Sequence, residues 1–176
     1  LTPTDWMYVA EVNAGEAWMP GSLQPFANFS ISPAAGVLNY GQGLFEGMKA
    51  YRTEADRIVF FRPEENARRM QAGADRLRMP PVPESLFVDA IEQVVHANRD
   101  WVPPCGRGAL YVRPILFGSG PVLGVAPAPS FTFMIYCTPV GPYFKGGMSA
   151  ISLIISEDHH RAAPGGSGGV KAIGNY

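Results

Sequence analysis

Apolar and polar positions alternate with a period of two over Trp6–Val12 (WMYVAEV) and Phe26–Ile31 (FANFSI). Both runs are aromatic and β-branched, and each is predicted as a strand. Ser32 to Gly36 (SPAAG) reads as a turn. The next stretch, Leu44–Arg52 (LFEGMKAYR), carries Phe45, Gly47, Lys49 and Tyr51 at alternate positions, which favours a strand over a helix. Glu54-Ala55-Asp56-Arg57 turns the chain back into Ile58–Phe61, predicting a hairpin. The period then changes. Pro63, followed by Glu64 and Glu65, suits the first turn of a helix; Ala67, Met70, Ala74 and Leu77 recur at helical spacing until Pro80-Pro81 stops the run. Glu84–Arg99 is a second predicted helix, with Leu86 or Phe87, Ala90 or Ile91, and Val94 or Val95 on its faces. Ala109–Phe117 (ALYVRPILF) and Phe131–Thr138 (FTFMIYCT) are apolar β-runs expected to pair in one sheet.

These elements make an α+β domain over residues 1–140, with a mixed or antiparallel sheet and two helices. Pro139 to Gly147 (PVGPYFKGG) has the composition of a connection, placed at 141–149. Ile151–Ile155 begins a new strand, 161–169 is a loop, and Lys171–Tyr176 opens a helix as the chain stops. Residues 150–176 are too few to bury a core alone and read as the first slice of a second domain. Internal repeats and low-complexity tracts are lacking.

Composition narrows the function. Of 176 residues, 47% are hydrophobic and 16% charged, a globular balance. With 14 basic and 15 acidic residues the net charge is −1, so no bulk positive field supports binding to nucleic acid or anionic membrane. Gly (20) and Pro (17) favour strands and loops over a helical bundle. Cys105 and Cys137 fit no zinc or disulfide framework and are read as buried free thiols in a reducing compartment. Apolar runs fall short of the ~20 residues that a spanning helix needs. The first residue is Leu1, not Met, so any targeting peptide is expected to be gone already, and a soluble intracellular protein of plastid, mitochondrion or cytosol is expected.

Candidate chemistry sits in a few places. Gly41-Gln42-Gly43-Leu44-Phe45-Glu46-Gly47 has GxGxxxG spacing rather than GxGxxG, and is read as a tight turn feeding a strand. Gly165-Gly166-Ser167-Gly168-Gly169-Val170-Lys171 lacks the Gly-Lys-Ser/Thr of a P-loop, which argues against ATP hydrolysis. It leaves Lys171 behind a loop rich in backbone N–H groups, where a desolvated amine could attack a carbonyl. Tyr176 stands close enough in sequence to share a cavity with it. Arg69 could reach a phosphate, whereas Arg68 is read as a solvated partner of Glu64 and Glu65. Arg113 lies inside an apolar strand beside Pro114, where its charge needs a partner or a ligand carboxylate. Asp158-His159-His160 is read as solvated loop, so no metal site is assigned.

Taken together, Leu38–Tyr51 (LNYGQGLFEGMKAY), Phe61–Met70 (FRPEENARRM), Leu110–Pro114 (LYVRP), Leu123-Gly124-Val125 and Gly165–Tyr176 resemble, in order, the branched-chain amino acid aminotransferases of plants and bacteria, fold-type IV enzymes that use pyridoxal phosphate (PLP). The resemblance runs over nearly the whole chain and corresponds to the N-terminal half of a family member.

It implies that Lys171 forms the Schiff base with PLP and carries the proton, that Tyr176 hydrogen-bonds the PLP phenolic oxygen, and that Arg69 contacts its phosphate. It implies that Phe45 walls the substrate pocket, that Tyr111 and Arg113 position substrate carboxylates, and that Tyr40, Leu123 and Val125 reach across a homodimer interface into the partner's pocket. The reaction implied is transamination between Leu, Ile or Val and 2-oxoglutarate. The family's acidic partner of the pyridine nitrogen and most of its phosphate ligands lie beyond the position of Tyr176, so a chain ending there is expected to be weakly active at most. A non-catalytic dimerising or binding remnant, a D-amino acid aminotransferase and an aminodeoxychorismate lyase are the other readings. Tyr111-x-Arg113 and Leu123-Gly124-Val125 favour the branched-chain enzyme over the last two.

Overall fold

The computed structural model describes residues 1–142 and 150–176. Seven strands form one antiparallel sheet: β1 (Trp6–Asn13), β2 (Ser22–Pro25), β3 (Gly43–Phe45), β4 (Met48–Arg52), β5 (Ile58–Val59), β6 (Ala109–Gly118) and β7 (Ser130–Val140). Their order is β2-β1-β7-β6-β4-β5, with β3 also paired to β6. Three helices, α1 (Gly36–Tyr40), α2 (Pro63–Arg76) and α3 (Glu84–Ala97), complete the described α+β architecture. It agrees with the expected α+β domain built on an antiparallel sheet with two long helices.

The alternation along β6 divides the sheet into two faces. Leu110, Val112 and Leu116 are fully buried, whereas the intervening Tyr111, Arg113 and Ile115 are half-buried. The buried set joins Phe131, Phe133, Ile135 and Cys137 of β7 in one core with Ala67, Met70 and Ala74 of α2 and Phe87, Ala90, Ile91 and Val94 of α3. Phe133 sits at its centre, its ring 5.7 Å from that of Phe87, 6.3 Å from Trp18 and 6.5 Å from Tyr8. Each such side chain contributes roughly 1.5–3 kcal/mol by leaving water.

Several expectations change. Phe26–Ile31 is not a strand. The pairing strand is Ser22–Pro25, which runs out of partner because its register ends at Trp6↔Pro25, where β1 begins. The aromatics of the predicted segment pack instead, Phe26 on Tyr136 and Phe29 on Phe117. The single strand Leu44–Arg52 is two, β3 and β4, both in register with β6. Glu46 N–H donates to Pro114 carbonyl at 2.8 Å, but Pro114 has no N–H to return, and the ladder lapses there. The short helix α1 has no counterpart among the predicted elements; Gly41, at φ 65°, ends it in the left-handed conformation that glycine adopts readily. That agrees with the turn reading of the Gly41–Gly47 segment.

Ile151–Ile155 forms no strand, since no described strand lies beside it to accept its backbone bonds. Lys171–Tyr176 holds a single 3₁₀ turn, Ile173–Asn175, rather than the start of an α-helix. Cys137 is buried, and burial pushes its thiol up to about 12; Cys105 is exposed, not buried, and both are free. Most of the predicted connection, residues 143–149, lies outside the described residues.

Candidate functional site

Lys171 is held through its backbone. Its carbonyl accepts from the Phe45 N–H at 3.2 Å, and buried Ala172 bridges to Leu44, so the segment is laid against β3. Asn175 gathers the preceding Gly-rich loop: its amide donates to the Ser167 and Val170 carbonyls at 2.9 Å each and accepts from the Ser167 hydroxyl at 2.7 Å. From α2, Arg76 Nη2 donates to the carbonyls of Gly165 and Gly166 at 3.5 and 3.4 Å.

Phe45 is the hub of the side chains. Lys171 Nζ lies 4.8 Å from its ring centroid, Arg113 Cζ 4.7 Å, and the Tyr176 ring 4.9 Å. Lys171 Nζ is also 5.6 Å from the Tyr176 ring, and Arg113 Cζ 5.2 Å from Tyr111. Arg113 Nη2 donates to the Tyr111 hydroxyl at 3.0 Å, while its Nε is buried with no partner among the described residues. A buried N–H without an acceptor is costly, and it marks where a ligand oxygen would be welcome. Alternation explains the grouping: Tyr111 and Arg113 occupy the half-buried face of β6, the face away from the helical core.

Two further cations border the cluster. The Arg161 guanidinium lies 4.9 Å from the Tyr176 ring centroid. Hydrogen bonding to Arg161, and then the charge of Lys171, hold the Tyr176 phenol below its ordinary range. Arg69 is clamped by Glu46: Nε donates to Oε1 at 2.7 Å and Nη2 to Oε2 at 2.6 Å, and this bonding raises the guanidinium further. Arg68 turns away, pairing with Glu65 and with Glu84 of α3 rather than with Glu64. Cavities of 350 Å³ beside Arg78 and 550 Å³ beside Phe29 contain none of these residues.

The chain is 59% identical over 174 residues to the chloroplastic branched-chain amino acid aminotransferase 2 of Humulus lupulus, a match that covers 99% of the chain and 43% of that relative. Over nearly its whole length the chain is similar to branched-chain amino acid aminotransferases. It spans less than half the length of that curated relative. Other relatives include a mitochondrial form of Humulus lupulus at 51% identity and a methionine aminotransferase of Arabidopsis thaliana at 55%. Among solved structures, the Escherichia coli branched-chain amino acid aminotransferase aligns over 98% of the chain and 52% of its own length, with a TM-score of 0.68 at 21% identity. A second solved branched-chain amino acid aminotransferase, from T.th. and with pyridoxamine 5'-phosphate, aligns over 81% of the chain and 42% of its own, with a TM-score of 0.62 at 26% identity. No protein-family profile matches the chain.

The residues singled out in the sequence fall into two groups. Lys171, Tyr176, Phe45, Tyr111, Arg113 and Arg69 come together around the β3–β6 pair. Tyr40, Leu123 and Val125 form a second, outward group: the Tyr40 hydroxyl accepts from Gly124 N–H at 2.7 Å, and Leu123 and Val125 are exposed. Sequence reasoning missed Glu46, Asn66, Arg76, Arg161 and Asn175. A signal for Glu46 was available: in the alternation it shares a side with Leu44 and Met48, a carboxylate among core positions.

Proposed function

We propose that the protein transfers the amino group between branched-chain L-amino acids (Leu, Ile, Val) and 2-oxoglutarate, using pyridoxal phosphate held by Lys171. The observation that carries this reading is the convergence of Lys171, Tyr176, Arg113 and Tyr111 on Phe45. The donor set suits the cofactor: the Lys171 amine for its carbonyl, the Tyr176 phenol for its phenolic oxygen, and Arg69, with one edge open, for its phosphate. When bound, PLP supplies the carbonyl carbon and the electron sink for the reaction.

Lys171 then has the amine that holds and moves the proton at the substrate Cα, 4.8 Å from the Phe45 ring that walls its surroundings. Tyr111 and Arg113 bind and orient carboxylate, and the unpartnered Nε of Arg113 gains an acceptor when they do. Phe45 supplies apolar surface for a branched side chain and excludes water. Tyr176, with Arg161 beside it, offers a polarised phenol. Tyr40, Leu123 and Val125 face outward and are assigned to a homodimer interface, where they complete the partner's pocket. The domain boundaries that accompany this reading are 1–140, 141–149 and 150–176. The names of the relatives favour a plastid or mitochondrial protein, and no described helix is long and apolar enough to cross a membrane.

The test is to incubate the protein with PLP, reduce with borohydride, and map the adduct by mass spectrometry, then assay L-Leu with 2-oxoglutarate against D-Ala. An adduct on Lys171 and activity on L-Leu are expected. An adduct with activity on D-Ala alone would move the reaction to a D-amino acid enzyme. Absence of an adduct would leave a non-catalytic binding protein.

A further inference from the structure

The Glu46 carboxylate is the most confined charge in the described fold. Its side chain is 0% exposed, yet its partner Arg69 is 54% exposed. The pair is therefore sealed on the acid side and open on the base side. Oε2 alone accepts from Arg69 Nη2 at 2.6 Å, from Asn66 Nδ2 at 2.8 Å and from Gly47 N–H at 3.4 Å, while Oε1 takes Arg69 Nε at 2.7 Å. A buried carboxylate persists only with such a set of donors.

We propose that Glu46, braced by Asn66, is a positioning residue that fixes which edge of Arg69 is offered to the cofactor phosphate; the inference rests on the assignment of that phosphate to Arg69. A guanidinium has two edges that can bind an anion in bidentate fashion. Glu46 occupies the Nε–Nη2 edge. Among the described residues Nη1 has no acceptor, so the Nη1–Nη2 edge is the one left to face outward. The backbone supports this division. Glu46 follows Phe45 at the end of β3, and alternation sends Phe45 towards Lys171 while Glu46 turns to α2, where Asn66 and Arg69 lie one helical turn apart. The same two-residue step thus sets the amine's wall and the phosphate arginine's brace. Glu46 also cancels the Arg69 charge. Its removal would strengthen bare attraction to a phosphate while losing orientation, and these two effects have opposite signs.

That opposition makes the test decisive. Dissociation constants of PLP and of pyridoxal, which lacks the phosphate, are measured by absorbance titration for the wild type, E46Q, R69Q and the double variant. Losing one charged hydrogen-bond arrangement should weaken PLP binding on the order of tenfold in E46Q while pyridoxal changes by less than about twofold. R69Q should erase the same preference, and the double variant should bind no worse than R69Q alone. A preference for PLP in E46Q that is unchanged or larger overturns the positioning role, provided R69Q still loses it. If R69Q keeps the preference, the assignment of the phosphate to Arg69 fails and the inference goes with it. Thermal unfolding of each variant is followed in parallel. If E46Q does not fold, N66A, which keeps the charge pair and removes one brace, carries the comparison: a PLP-specific loss of about threefold supports the proposal, and no loss overturns it.

Discussion

A β-carbon built on Gly47 would stand 2.0 Å from the Tyr111 hydroxyl oxygen. The glycine immediately precedes β4, whose Met48 and Lys49 face Val112 and Tyr111 of β6, and its missing side chain is the space that the phenol fills. Gly47→Ala is expected to fold but to push Tyr111, and with it the Arg113 Nη2 bond, out of place. A displacement of this size should lower kcat/KM for L-Leu by roughly a hundredfold. Steady-state kinetics beside a melting curve check this; full activity with an intact fold would mean that Tyr111 does not position substrate.

Arg113 has a buried Nε with no acceptor among the described residues and one bond to Tyr111. Lysine offers a point charge in place of a planar fork. Arg113→Lys should raise the KM for 2-oxoglutarate by at least about tenfold, with a smaller effect on kcat. An unchanged KM would place the substrate carboxylate elsewhere.

Tyr176 should ionise below the ordinary tyrosine range, because Arg161 first and Lys171 second favour its phenolate. A depressed phenol stabilises the fold above its unfolded value of about 10, and that contribution is lost as pH falls through the folded value. Absorbance at the phenolate band, taken as the difference between the wild type and Tyr176→Phe, isolates it from the other tyrosines. Arg161→Gln should move the titration back up; a titration that stays in place would remove Arg161 as the cause.

Phe133 touches Phe87, Trp18 and Tyr8 with its ring and is fully buried. Phe133→Ala should destabilise the protein by about 3–5 kcal/mol, measured by urea denaturation. A loss below about 1 kcal/mol would mean that the helices and sheet do not share this core.

Local pattern made much of the molecule legible. The paired apolar runs became β6 and β7, the Pro-Glu-Glu start became α2, and the Glu54–Arg57 turn joined β4 to β5. Period two and period 3.6 are set by backbone dihedrals within a few residues, so they can be read without knowing any neighbour. The ordered motifs likewise singled out Lys171, Tyr176, Tyr111 and Arg113, which the fold gathers around Phe45.

Pairing and burial across long separations were not legible in this way. Phe26–Ile31 had strand composition but no strand to lie against once β1 ended, and Ile151–Ile155 lacked a described neighbour. Pro114 broke a facing ladder that its own segment gave no reason to break. Arg69 stood out in the sequence as a candidate for a phosphate, whereas the carboxylate that pairs with it did not. Glu46 meets Arg69 only because α2 docks over the end of β3. A buried charge acquires its meaning from the partners that folding brings to it, and only the tertiary structure decided those.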